Sequence, residues 1–238
     1  MIIGITGLTL AQNNGAKIGT MGAGKTAISE YLHSNYDFVS MGLMDAGKRV
    51  IRELFDFSDE QLWGDLKNTP DPRYIRKYET CEEGTAAVAT PVWLTPRFAL
   101  QQLGTEFARS CFPDLWIANA LKIADQLLEA QNGTDLSPVI YTQEDGIVNW
   151  TGVAIKGVAF HDIRYVNEFS ILKSRQDSKI IRVKRALNEY GDLSNHVGHA
   201  SEMGLLGLSD DKFDYVINNN GDLEDLYRKV DAMMAVFK

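Results

Sequence analysis

The chain has 238 residues, of which 45% are hydrophobic and 24% charged, and a formal net charge of −8. That length suffices for one large domain with an ample core, and the composition is that of a globular protein, not a disordered or fibrous one. The acidic balance argues against a nucleic-acid coat or a lipid-surface binder, yet leaves room for a small anionic ligand held by a helix N-terminus and a few cations.

Ile2-Ile3-Gly4-Ile5-Thr6-Gly7 reads as a buried strand. Residues 8–19 read as a small hairpin with Asn14-Gly15 at its turn. Gly19-Thr20-Met21-Gly22-Ala23-Gly24-Lys25-Thr26 then fits G-x-x-x-x-G-K-[ST], the phosphate-cradling loop. In such a loop, backbone N–H groups curl round a phosphate chain. The lysine reaches the β/γ-phosphates and the hydroxyl serves Mg²⁺. A helix should follow, and Ala27 to Leu32 supplies one, with Ile28 and Leu32 on a common face. The strand that should precede is displaced, because Gly7 lies twelve residues before Gly19. Either the hairpin is an insertion between the first strand and Gly22, or residues 16–19 are the feeding strand. The first reading is preferred, since 2–7 is the better core strand. Gly22 to Thr26 keep their place in both; Gly19 changes role.

Phe38-Val39-Ser40 is a second strand. Residues 45–56 read as a helix with Val50, Ile51, Leu54 and Phe55 inward, and Ser58-Asp59-Glu60-Gln61 as a capping box. Residues 64–94 hold three of the six prolines and no sustained period, so they read as a long loop. Thr95 and Pro96 open a helix as N-cap and first residue. Another helix runs from Asp114 to near Gly133, with Ile117, Leu121, Ala124 and Leu128 as its stripe. Residues 138–150 read as a hairpin. Val158-Ala159-Phe160 is a buried strand ending in His161-Asp162-Ile163-Arg164, and a helix over 165–176 follows. Lys179 to Arg185 is a strand ending in basic residues. Tyr215-Val216-Ile217 is the last strand. Asp222 caps the last helix, which turns Leu223, Leu226, Tyr227, Val230, Met234 and Phe237 inward. Strands alternating with helices predict an α/β fold, a parallel sheet wrapped on both faces. Ligands of such sheets bind at the C-terminal strand ends, where Lys25, Asp162 and Arg185 fall.

Two further constellations carry chemistry. Arg97, Gln101, Gly104 and Thr105 are spaced to share one helical face, with Leu100, Leu103 and Phe107 opposite and buried. Arg97 suits bidentate binding of a phosphate and Gln101 a base edge. Glycine within a helix costs up to about 1 kcal/mol against alanine, so Gly104 points to close approach by something flat or bulky. An ordinary solvated face satisfies the same periodicity. Asp162 stands where P-loop enzymes hold Mg²⁺, with Arg164 beside it to stabilise phosphoryl charge and Glu168 to orient Arg164. A strand-end salt bridge is the alternative. Arg182, Lys184 and Arg185 precede a polar stretch, 186–204, placed as the arginine-bearing lids of small kinases are. A solvated basic strand end is the other reading of those cations.

No apolar run reaches the length of a membrane span, and the first residues lack the pattern of a secretory signal. Cys81, Cys111 and four histidines make neither a disulfide framework nor a metal cluster. A reducing cytoplasm is expected, where the sequons at Asn132 and Asn149 stay unused.

Taken together, the chain resembles the bacteriophage deoxynucleoside monophosphate kinases, within the P-loop nucleoside monophosphate kinase group. The resemblance rests on Thr95-Pro-Arg-x3-Gln101-x2-Gly104-Thr105, Asp114-x-Trp116, Asp162-x-Arg164-x3-Glu168, His199-x-Ser-Glu202 and Asn218-Asn-Asn-Gly-x-Leu-Glu-Asp-Leu, in that order. Lys48 and Lys67 stand where members also carry lysines. It implies a single P-loop kinase domain over 1–238, with 64–94 on the substrate side and a lid-like 186–204. The implied reaction is ATP-dependent, Mg²⁺-assisted phosphorylation of deoxynucleoside monophosphates, for phage DNA synthesis in a bacterial cytoplasm. The resemblance leans to a homodimer, while the acidic charge noted above argues against nucleic-acid or membrane partners. Arg97, Gln101, Gly104, Thr105 and Trp116 would lie near the acceptor nucleotide. Asp162, Arg164 and Glu168 would be the catalytic acid, arginine and supporting acid. Gly22, Ala23, Gly24, Lys25, Thr26 and Arg185 would take ATP. The family commonly reads Ser-Gly-Lys-Asp-Thr at the loop, whereas this chain reads Ala23-Gly24-Lys25-Thr26-Ala27. Metal handling then passes to Thr26 with Asp162. The 8–19 hairpin is extra to the family pattern. Competing expectations are a dephospho-coenzyme A or ribonucleoside monophosphate kinase, and a nucleotide-binding regulatory protein without catalysis.

Overall fold

The computed structural model describes residues 1–11, 17–19, 22–83, 86–129, 140–141, 148–149, 155–187 and 204–237. The hairpin turn at Asn14-Gly15, Thr20 and Met21, the helix end near Gly133, most of 138–150 and the stretch 188–203 lie outside them. By its internal contacts the chain divides into two compact units. The first comprises Met1–Leu43, Trp116–Ile140 and Asn149–Lys238; the second comprises Met44–Leu115 and Tyr141–Val148.

Unit 1 is a mixed α/β body around a parallel five-stranded sheet, the P-loop kinase fold. Its strands are β1 (Ile2–Ala11), β3 (Phe38–Met41), β8 (Gly157–Phe160), β9 (Ser178–Leu187) and β10 (Tyr215–Asn218), in the order β10-β9-β1-β8-β3. Every pair among them is parallel. The chain moves outward from β1 to β3, returns through β8, then crosses to β9 and β10, so β1 lies at the switch point where such sheets bind ligands. Ile3, Ile5, Ile181, Val183 and Ile217 pack with Ile28, Leu32, Leu226, Val230 and Met233. That face is covered by helices α1 (Lys25–Tyr36) and α8 (Leu223–Val236). On the other face, Gly4 meets Ile163 and Leu172, the latter from α7 (Val166–Ser174). Burying both faces explains why β8 reads as an unbroken apolar run.

The hairpin differs from its expected form. β1 does not stop at Gly7 but pairs with β9 along its length, to Ala11 opposite Leu187. The short strand β2 (Lys17–Gly19) pairs antiparallel with β1, Thr9 opposite Gly19 and Leu10 opposite Lys17. Because β9 occupies one edge of β1 throughout, β2 takes the other edge, beyond the last β8 pair at Gly4 and Phe160. The hairpin is thus an out-and-back excursion of the core strand, and it returns Gly19 to within one strand spacing of Thr9.

Unit 2 carries α2 (Asp45–Phe55), α3 (Asp59–Leu62) and a 3₁₀ turn at Asp65–Asn68. A long hairpin of β4 (Asp71–Glu83) and β5 (Ala86–Leu94) follows, then α4 (Pro96–Gln101), a π-helical turn (Gln102–Phe107) and α5 (Ala108–Cys111). Its core is Ile51, Phe57, Leu62, Leu94 and Ala99, with Phe55 stacked on Phe57 and Tyr74 edge-on to both. The 64–94 loop is therefore corrected: most of it is an antiparallel ribbon. In α2 the buried stripe runs through Gly47 and Ile51, so Val50 and Leu54 fall on the adjoining face and are exposed, against expectation.

In unit 1, α6 (Leu115–Glu129) buries Ile117, Ala120, Leu121, Ala124 and Leu127, with Leu128 only half-buried. In α8, Leu226, Val230, Met233 and Met234 are buried while Leu223 is exposed. Tyr227 instead stacks on Tyr31 at 4.2 Å. The strands Ile140–Tyr141 (β6) and Val148–Asn149 (β7) pair with each other. Among the described residues, no helix is long and apolar enough to cross a membrane.

The base of the ribbon carries a buried carboxylate. Asp71 accepts from Arg73 Nη2 at 2.8 Å, Arg73 Nε at 3.0 Å and Gln61 Nε2 at 2.9 Å. The Arg73 guanidinium holds this carboxyl well below the usual carboxylate range, against the opposing effect of burial. A depressed folded pKa means stability present above the unfolded value of about 3.9 and lost as pH falls through the folded one. Asp71→Asn should therefore lower the urea midpoint at pH 7, and its deficit against the parent should shrink at pH 3. A deficit independent of pH would show that Asp71 acts through shape and not charge.

Candidate functional site

In unit 1, Gly22 to Gly24 lead into α1, whose first residues are Lys25 and Thr26. Gly22 and Gly24 both have left-handed backbones, φ 71° and 102°, conformations that a β-carbon disfavours. They bend the chain so that α1 begins at Lys25 with no side-chain cap and no acidic residue in its first turn. The N–H groups at that end and the positive end of the helix dipole favour an anion. Lys25 is half-buried and Thr26 exposed.

The loop is clamped from the far end of the chain by a residue the sequence reading did not assign a role. Asn219, 3% exposed after β10, donates from Nδ2 to the Ala23 carbonyl at 2.9 Å. Its own N–H donates to Lys184 O at 2.7 Å. A β-carbon on Gly24 would overlap the Asn219 amide, so glycine is required there by packing as well as by φ. The run Asn218-Asn219-Asn220 was the available signal, but no spacing rule links it to Ala23. Asn219→Ala would leave the Ala23 carbonyl unsatisfied, at about 1–3 kcal/mol. The expected result is a lowered urea midpoint together with weaker binding of ATP used as a phosphate probe. A stability loss with probe binding unchanged would separate Asn219 from loop geometry.

Asp162 follows β8 at the same C-terminal edge of the sheet. Its Oδ1 accepts from the Leu43 N–H at 2.8 Å, which ties the end of β8 to the residues after β3. Among the described residues no donor engages Oδ2. The Ile163 N–H donates to Ile5 O at 3.2 Å, locking the turn to β1. Glu168 is 3% exposed, and its Oε2 accepts from the N–H groups of Arg164 at 2.9 Å and Tyr165 at 3.0 Å. Glu168 thus holds the Arg164 main chain.

Of the basic residues ending β9, Arg182 is spoken for. It is 1% exposed, donates from Nη2 to Leu205 O and from Nη1 to Leu208 O, both at 2.8 Å, and pairs with Asp210 at 3.1 Å. Its guanidinium lies 3.9 Å from the Phe213 ring centre. That removes Arg182 as a mobile phosphate ligand. Lys184 pairs with Asp210 at 2.7 Å on the same face. Arg185 shares the strand face of Ile181 and Val183, which pack under α1. It is half-buried, and no described side chain engages it.

The five residues expected near an acceptor nucleotide divide between the units: Trp116 is in the first turn of α6 in unit 1, and Arg97, Gln101, Gly104 and Thr105 are in unit 2. The Thr95 hydroxyl caps α4 by accepting from the Phe98 N–H at 3.2 Å, as its sequence predicts. Arg97 donates from Nε to Asn68 Oδ1 at 2.8 Å. Lys67, beside Asn68, reaches the Trp63 carbonyl at 2.7 Å, and Lys48 pairs with Asp45 at 3.0 Å near the Trp63 ring. The expected single face does not survive past Gln101. The Ala108 N–H reaches Leu103 O, an i→i+5 bond, and this π turn shifts Gly104 and Thr105 off the α-helical wheel. Phe107 is 63% exposed instead of buried. Gly104 does admit something bulky, but from within: a β-carbon would overlap the Met44 thioether.

The donor set of Thr26 hydroxyl and Asp162 carboxylate is all hard oxygen, which fits Mg²⁺. Among the described residues no cluster of three or more His, Cys, Asp or Glu could hold a metal by itself. An ion here would take most of its ligands from phosphates and water, as Mg²⁺ in kinase sites does.

No protein-family model matches the chain. It is 26% identical over 219 residues, 90% of this chain and 91% of the relative, to the Acanthamoeba polyphaga mimivirus protein named "Putative deoxynucleotide monophosphate kinase".

Proposed function

We propose that this protein is an ATP-dependent deoxynucleoside monophosphate kinase, serving phage or other viral DNA precursor synthesis. The observation that carries the reading is the pairing in unit 1 of a clamped phosphate loop with Asp162 and Arg164 at the same sheet edge. Similarity to the mimivirus protein over nearly all of both chains supports it.

Phosphoryl transfer needs little covalent chemistry from the protein; positioning and charge neutralisation carry the rate. Gly22, Ala23 and Gly24 cradle the ATP phosphates with backbone N–H groups, and Lys25 neutralises the β/γ oxygens. Arg164 faces the transferring group from a main chain held by Glu168, and Arg185 adds charge from the end of β9. Thr26 and Asp162 would hold Mg²⁺ or its waters, and the ion would supply charge neutralisation at the phosphates. Asp162 also orients the acceptor. Arg97 is assigned the acceptor phosphate, and Gln101, Gly104, Thr105 and, separately, Trp116 are assigned contacts to the acceptor nucleotide. The reading includes a homodimer working in the host cytoplasm, which sedimentation of the purified chain tests.

A coupled ADP-release assay across the four deoxynucleoside monophosphates and the matching ribonucleotides tests the activity. Turnover with deoxynucleotides is expected. Preference for ribonucleotides or dephospho-coenzyme A would move the protein to a neighbouring kinase class. Absence of turnover with every acceptor, alongside ATP binding, would favour a nucleotide-binding regulator.

A further inference from the structure

The β1–β2 hairpin is tied to a part of unit 1 remote in sequence. Lys17, in β2, donates from Nζ to the main-chain carbonyl of Leu206. The same turn is held from the sheet by Arg182, through the carbonyls of Leu205 and Leu208. Two cations, on β2 and β9, thus grip three carbonyls within residues 204–208, and the Leu205 and Leu206 side chains are buried beneath. The first residue of this turn rests on the catalytic edge. A β-carbon on Gly204 would overlap the Arg164 carbonyl and lie 3.4 Å from the Tyr165 α-carbon. Both obstacles are main chain, so neither can swing aside as a side-chain tip would. The N–H groups of Arg164 and Tyr165 are meanwhile fixed by Glu168. A continuous path of contacts therefore runs from Lys17 through Leu206 and Gly204 to the backbone that carries Arg164.

We infer that Lys17 and Gly204 are positioning residues for Arg164. The hairpin that delivers the chain into the phosphate loop also clamps the turn against which the Arg164 main chain rests. Loop and arginine are thereby held on one frame, and the frame depends on a segment extra to the resembled family's pattern. The kinetic half of this inference rests on the kinase reading above; the structural half does not. Lysine is suited to the role because its stem spans from the strand to the turn and its charge strengthens a bond to a carbonyl. Methionine at 17 would keep the stem and lose the donor; arginine would keep both.

Amide hydrogen exchange and steady-state kinetics on the full chain test it together. In Lys17→Met the amides of Arg164, Tyr165 and residues 205–208 should exchange roughly fivefold faster or more, with β10 and α8 unchanged. The kcat should fall roughly tenfold, with KM for donor and acceptor each within about twofold. Lys17→Arg should restore both readouts. Gly204→Ala should move both further in the same direction. Unchanged exchange at Arg164 and Tyr165 in Lys17→Met overturns the inference, whatever the kinetics. Faster exchange with unaltered kcat in an active enzyme overturns it too. If the parent chain phosphorylates nothing, the kinase reading falls while the exchange comparison still decides whether Lys17 holds Arg164.

Discussion

Lys25→Ala should reduce kcat/KM by roughly 10³-fold or more while the protein stays folded. The lysine is the first residue of α1, and its replacement by alanine costs the helix no propensity. Ile28 and Leu32 carry the core packing of that helix. The loop conformation is held by the left-handed backbones of Gly22 and Gly24 and by the Asn219 clamp. A folded, inactive variant is therefore the expected result, checked by circular dichroism and urea melting beside the kinetic assay. Retained activity would remove the loop from the chemistry and leave the kinase reading without its phosphate donor site.

The second large effect concerns Arg164. An arginine that meets charge only as the phosphoryl group transfers is worth roughly 10³-fold or more in kcat. Arg164→Ala should thus lower kcat by that order and raise the acceptor KM by only about threefold. The backbone N–H at 164 still donates to Glu168 after the substitution, so the turn that carries Asp162 should persist. Arg164→Lys should recover little, because a point charge does not reproduce a planar fork of donors. A change confined to KM would recast Arg164 as a substrate-binding residue. Glu168→Gln offers a contrast. It keeps an acceptor for the two N–H groups but loses the charge, so a smaller kcat loss is expected there.

The sequence by itself determined those features whose causes are local. The strands expected at 2–7, 158–160, 179–185 and 215–217 became β1, β8, β9 and β10, because each holds a cluster of β-branched or aromatic residues, a local signal. The caps at Ser58, Thr95 and Asp222 were equally legible, since each bonds an N–H three residues on. The sharp turn at Gly22 and Gly24 was legible because glycine is the residue that tolerates the left-handed backbone found there.

Only the tertiary structure decided what depends on partners far along the chain. The β4–β5 ribbon read as a loop because its pairing energy is shared across two strands of mixed composition. The inward faces of α2 and α8 were drawn too wide, since periodicity marks a stripe but not which flank a neighbour covers. Arg182 looked like a free strand-end cation until the 204–210 turn and Phe213 were seen to enclose it. The π turn at 102–107 has no compositional mark, and it shifted Gly104 against Met44. Ala23 and Asn219 meet across 196 positions, a separation no local pattern spans. A backbone carbonyl accepts from whatever donor the fold delivers, so the residues that hold the loop and Arg164 in place could be named only once the sheet had brought them together.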